Sequence, residues 1–282
     1  MFETMQFTGA GGIQLVGDVG GDASAPLVLL LHGGGQTRHS WRGAMHALIA
    51  NGYRAISLDA RGHGDSGWAP DGDYRFATLA SDLECVLASL PSRPALVGAS
   101  MGGGTALTLV GTHSAQLARA LVLVDIVPRM DPRGIAKIQR FMSANSNGFA
   151  SLEAAADAVS AYNPHRPRPN DLSGLMKNLR RRPDGRLYWH WDPRVIANPA
   201  GGVQRRDLDQ LAAAAANVRI PTLLLRGMHS DVVTDVAVAD ARRSITGLEV
   251  INVAEAGHMI AGDKNDAFND GLLTFLRRHV QP

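Results

Sequence analysis

Ser100 stands in the run ALVGASMGGG, residues 95–104, where a short apolar stretch enters Gly98, Ala99, Ser100, Met101 and Gly102 and a helical pattern follows. A serine on so tight a strand-to-helix turn presents its hydroxyl outward on a strained backbone, and small neighbours keep the turn from colliding with itself. The turn also puts Ser100 at a helix N-terminus, where the N–H of Met101 can bind the oxyanion formed when the serine attacks a carbonyl. A phosphate-binding loop is the competing reading, but this turn spells neither G-x-G-x-x-G nor G-K-[ST]. The G-x-G-x-x-G that the chain does contain, Gly62 to Gly67, runs into polar loop sequence instead of a helix.

A second oxyanion donor is expected from HGGGQT, residues 32–37, which follows the apolar run Leu27 to Leu31. Gly34 or Gly35 can supply it, with Gly34 favoured; losing one such donor costs about 3 kcal/mol in the transition state. Serine is a poor nucleophile until a base takes its proton, and ten histidines compete for that task. His258, in AEAGHM directly after the last apolar run, is the expected base, and His229 is its rival. His32 and His63 lie in glycine-rich loops that a histidine holds by hydrogen bonds, and His39 precedes a helical stretch. His46, His113, His165, His190 and His279 fall in helical or inserted segments. The acid that orients the imidazole is expected to be Asp231, in RGMHSDVV, which completes the chain order Ser, Asp, His. Asp125, at the end of Leu121 to Val124, is the alternative. Asp59 and Asp65, in LDARGHGDSG, are expected to bond backbone amides and Arg61 in a tight loop.

These residues need elements that bring them to one place. Residues 2–19 alternate loosely about a glycine cluster and predict a hairpin. Uniformly apolar runs at 27–31, 55–58, 95–97, 121–124, 222–225 and 250–253 predict strands covered on both faces, as in a parallel sheet. Helical patterns at 41–50, 76–90, 101–110 and 267–279 alternate with them, so the expected fold class is α/β, a mostly parallel central sheet flanked by helices. The alternation breaks over 126–216, which predicts a helical cap inserted between core segments 1–125 and 217–282. That segment carries 14 Lys and Arg against 8 Asp and Glu, a charge that either draws anionic substrates or merely solvates helices.

Composition bounds the rest. Hydrophobic residues at 45% and charged residues at 19% describe a globular chain, and a net charge of +2 with dispersed signs argues against a nucleic-acid partner. No apolar run approaches the roughly 20 residues of a bilayer helix, and the N-terminus lacks the pattern of a secretory leader, so the expectation is a cytoplasmic protein without a membrane partner. The single cysteine, Cys85, fits a reducing compartment and is expected in the core.

Taken in order, HGGGQT, DARGHGDS, GASMGG, GMHSD and AEAGH resemble the α/β-hydrolase family over nearly the whole chain. The family includes esterases, lipases, amidases, cofactor-free perhydrolases, carbon–carbon hydrolases, dehalogenases and epoxide hydrolases. Members that open epoxides or displace halide resemble one another in carrying aspartate where Ser100 stands, and the overall look is similar to the small, capped esterases and perhydrolases. The resemblance implies a carboxylesterase-type reaction on a small-molecule ester through an acyl-enzyme, needing neither metal nor organic cofactor. Its alternatives are perhydrolysis or carbon–carbon cleavage by the same triad, and a ligand receptor of the same fold. By the same likeness the cap would lend residues such as Met142, Phe149 or Trp189 to an acyl pocket, with the run Tyr188 to Trp191 either lining it or pinning the cap.

Overall fold

The computed structural model describes residues 2–113, 116–164, 168–197, 205–258, 260 and 266–281. An opening hairpin, β1 (Glu3–Thr8) and β2 (Gln14–Gly20), leads into β3 (Leu27–Leu31), α1 (Arg42–Ala50), β4 (Arg54–Leu58), α2 (Phe76–Ser89), β5 (Ala95–Ala99), α3 (Met101–Thr112) and β6 (Ala120–Val124). Next come α4 (Pro132–Ser143), α5 (Leu152–Tyr162), the short strands β7 (Leu179–Arg181) and β8 (Leu187–Trp189), α6 (Arg194–Ala197) and α7 (Arg205–Ala215). The chain then forms β9 (Thr222–Gly227), α8 (Asp235–Ser244), β10 (Glu249–Val253) and α9 (Asp266–His279).

Eight strands form one sheet in the order β1-β2-β4-β3-β5-β6-β9-β10. The pairs β1–β2 and β2–β4 are antiparallel and the rest are parallel, so every predicted strand run and the predicted hairpin take their places. The apolar runs are uniform because both faces of the sheet are covered. In β3, Leu27, Leu29 and Leu31 pack into one core layer with α2, α3, α7 and α8, while Val28 and Leu30 pack into the other with α1 and α9. Burying a side chain of this size stabilises by about 1.5–3 kcal/mol, and a strand exposed on either face would forfeit half of that set.

Two expectations change here. Leu211 and Ala215 of α7 sit in the sheet's own core layer, and Gly111 of α3 is so close that a Cβ there would lie 2.1 Å from the Ala214 carbonyl oxygen. The last helix of the 126–216 segment therefore packs against the sheet. Cys85 is exposed: α2 turns Phe76, Leu79, Leu83 and Val86 inward together with Asp82, which Arg61 neutralises, and leaves Cys85 outside. Among the described residues no helix is long and apolar enough to cross a membrane.

Candidate active site

Ser100 directly follows β5 and caps α3 with φ 44° and ψ −110°, a left-handed φ that an L-residue holds only when its surroundings force it. The forcing is steric closeness. A Cβ on Gly98 would lie 2.5 Å from the Gly102 carbonyl carbon, and one on Gly102 would lie 2.4 Å from the Leu31 carbonyl oxygen. With side chains excluded at both places, α3 begins directly above the sheet edge.

The Ser100 hydroxyl lies 3.1 Å from His258 Nε2 and donates to it, while His258 Nδ1–H donates to Asp125 Oδ2 at 2.8 Å. The geometry thus brings together Ser100 and His258 as expected, and the carboxylate beside the imidazole belongs to Asp125. This corrects the assignment to Asp231. Strand β6 is the immediate neighbour of β5, so a residue one step past its end already stands near Ser100. Asp125 takes φ 48° there, and its fully buried carboxylate accepts from Gly227 N–H at 2.9 Å and from the Ser230 hydroxyl at 2.5 Å. Ser230 Oγ in turn accepts from the amides of Val232 and Val233.

Asp231 is turned the other way. Helix α4 captures its loop: the Asp131 amide donates to the Val232 carbonyl, a Cβ on Gly134 would lie 2.4 Å from the Asp231 carbonyl oxygen, and Lys137 Nζ pairs with Asp231 Oδ2 at 2.7 Å. The rival base His229 lies 3.6 Å from Glu255. Near the other demoted histidines stand Asp18 at His39, Phe2 at His46, Glu84 at His113, Asp65 at His190 and Glu249 at His279, and His165 lies outside the described residues.

The glycine loop is held by its histidines. His32 is buried, its Nδ1–H donating to the Gly33 carbonyl while Nε2 accepts from the Ala60 amide, and burial lowers its pKa to about 4. His63 is likewise buried, with Nε2 accepting from the Gly35 amide and Nδ1 facing the Arg61 carbonyl; burial and then the neighbouring His32 lower it to about 3. Both rings stay neutral near pH 7, which the two accepting nitrogens require. The Gly33 amide is taken by Gln36 Oε1, so the amides on either side of Gly34 are occupied. Among the described residues no acceptor takes the N–H of Gly34 or of Met101, and a Cβ on Gly34 would lie 4.0 Å from that of Met101. Gly34 and Met101 therefore stand side by side, next to Ser100. Asp59 and Asp65 bind Arg38 rather than Arg61, because the glycine loop carries Arg38 back over β4, while Arg61 pairs with Asp82.

Above this edge lies a cavity of about 160 Å³, reached by Ser100, Met101, His258 and the loop 33–36. Its remaining walls are mainly apolar, from Phe76, Ile126, Ile138, Phe141 and Val195, and include Met142 and Trp189 as expected. Phe149 is absent from this wall. Its backbone pairs with Leu187, and its buried ring meets Trp189 edge-on at 5.1 Å from behind. Trp191 does both tasks that were open for this run: it lines the cavity and bridges to His63. Tyr162, which the sequence did not single out, also faces the cavity, and burial followed by the charges of Asp231 and Asp125 raises its pKa, keeping the phenol protonated. Ser230 was equally hidden, since only its place beside Asp231 marked it.

Comparison with known proteins agrees with this fold. A family profile described as alpha/beta hydrolase fold matches residues 26–264. Esterase Rv0045c of Mycobacterium tuberculosis is 34% identical over 249 residues, covering 86% of this chain and 79% of its own. The mouse (Mus musculus) sn-1-specific diacylglycerol lipase ABHD11 is 28% identical over 91% of this chain and 82% of its own. The crystal structure of an alpha/beta hydrolase from Novosphingobium aromaticivorans superposes with a TM-score of 0.83 at 26% identity, covering 98% of both chains.

Proposed function

The chain belongs to the α/β hydrolase fold family and is an esterase-type hydrolase, and on that premise we propose that it cleaves a small carboxylic ester through a Ser100–His258–Asp125 triad. One observation carries this reading: an unbroken hydrogen-bonded line from the Ser100 hydroxyl through His258 to a buried carboxylate opens into an apolar cavity. In the proposed reaction His258 Nε2 takes the hydroxyl proton as Ser100 Oγ attacks the ester carbonyl. The oxyanion rests on the Met101 and Gly34 amides, and Asp125 stabilises the imidazolium. His258 then hands the proton to the leaving alcohol, and water repeats the sequence to release the acid. Ester cleavage is preferred over amide cleavage because an alkoxide needs less help to leave than an amide nitrogen, which must be protonated first.

The segment from α4 through α6, with the β7–β8 hairpin, is proposed as the cap that roofs the cavity, and α7 is assigned to the core. The test is paired. Ser100→Ala should lower kcat on a 4-nitrophenyl butyrate assay by about 10⁶-fold, and a fluorophosphonate should label the unaltered protein at Ser100. A variant keeping more than about 1% of the activity, or a serine that resists labelling, would overturn the assignment.

A further inference from the structure

Behind the roof of the cavity lies a second one of about 220 Å³. Met142, Trp189, Trp191 and Ile196 belong to the walls of both, so the two spaces lie back to back across a partition one side chain thick. Two of these are fixed. Trp189 is braced by Phe141 and Phe149, and Trp191 is anchored by its bridge to His63 and by the Asp192 amide, which donates to the Gly62 carbonyl. Met142 is the adaptable member: an unbranched thioether on the last turn of α4, resting against the open backbone of the glycine loop, where a Cβ on Gly35 would lie 3.4 Å from its Cε.

The chambers differ in charge. Among the described residues no Lys, Arg, Asp or Glu lines the first. The second is faced by Ser143, Asn145, Ser146 and Arg182, and the guanidinium of Arg182 stacks 4.0 Å from the centre of the Tyr188 ring, which also lines it. Several basic residues of the same segment are spoken for, Arg133 by Asp131, Arg194 by Asp192 and Lys137 by Asp231. Among the described residues no carboxylate lies within ion-pair distance of Arg182, and nearby Asp184 already accepts from the Tyr188 hydroxyl and the Arg186 amide. A fixed, ring-stacked guanidinium presents its remaining edge as a two-pronged donor, the geometry that carboxylates match.

Resting on the esterase reading for the reacting end, we propose that the second cavity is an outer compartment of the same site and that Arg182 holds a carboxylate at the far end of a chain ester. The substrate class is then the monoester of a dicarboxylic acid: the ester carbonyl at Ser100, the methylene chain past Met142, the free carboxylate at Arg182.

Binding tests this apart from turnover. Calorimetric titration of the Ser100→Ala protein with monomethyl suberate and uncharged dimethyl suberate should give about tenfold tighter binding of the monoester, the order that one charge-assisted hydrogen bond supplies. Adding Arg182→Gln should abolish that difference. Adding Met142→Trp should weaken monomethyl sebacate and suberate more than monomethyl adipate, since the shorter chain need not pass the partition. Equal affinity for the two suberates, or a preference that survives Arg182→Gln, would overturn the proposal. Methanol release from the same esters by the unaltered protein reports on the other reading: intact discrimination without hydrolysis removes the esterase assignment and leaves the compartment standing.

Discussion

Two aspartates leave the carboxyl edge of the sheet within reach of the Ser100 strand, and their surroundings divide them. Asp125 is fully buried, bent into a left-handed backbone, and met by an amide, a hydroxyl and an imidazole. Asp231 is about 40% exposed and paired with a lysine that is equally exposed. A carboxylate taken from water must recover its hydration from fixed donors, and those donors then dictate where it points. One left at the surface keeps water as its partner, so its ion pair contributes little. Chain order favours the second aspartate for orienting the base, whereas the hydrogen-bond shell favours the first.

The comparison breaks most sharply on Asp125→Asn. The amide would hold His258 in the wrong tautomer, and a loss in kcat of about 10⁴-fold is expected, read on a chromogenic ester; a loss below tenfold would return the role to another acid. Next in size is a pH effect on the buried histidines of the glycine loop. Above pH 6.5 His32 and His63 are neutral in either state. As pH falls below that value the unfolded chain binds two protons that the folded chain refuses until about pH 4 and about pH 3, burial being the cause. Stability should therefore drop by about 1.4 kcal/mol per pH unit for each ring, lowering the calorimetric Tm steadily from pH 6.5 to pH 5. His63→Gln should flatten that slope, and a Tm indifferent to pH in this window would contradict it.

Ser230→Ala comes third. It removes the hydroxyl from the same Asp125 oxygen that accepts from His258 Nδ1–H, and kcat should fall about tenfold with KM little changed, while Ser230→Thr should restore it. The smallest effect sharpens the contrast: Asp231→Asn cuts a half-exposed pair worth about 0–1 kcal/mol, so kcat/KM should stay within about threefold of the unaltered protein. Equal damage from the two aspartate variants would erase the distinction drawn here.

The parts of the site that the sequence made legible were local. The elbow at Ser100, the glycine loop and His258 each announce themselves within a few residues, because steric need for glycine and a place directly after an apolar strand are short-range properties. The helix boundaries at α1, α2, α3 and α9 fell within about two residues for the same reason, hydrophobic periodicity being a property of the helix itself. Less legible were β7 and β8, three residues each, too short for any period to show. Cys85 was misread since one residue of a helix lies only 100° from the next, and buried Asp82 looked polar without knowledge of Arg61.

By itself, then, the sequence determined a two-faced sheet, a strained serine turn and a histidine after the last strand, for these follow from contacts between near neighbours. Only the tertiary structure decided which aspartate meets the imidazole, which side of the sheet α7 covers and that Phe149 stands behind Trp189. Each of those depends on strand order and on donors more than a hundred or several tens of residues away, and no local pattern carries that information.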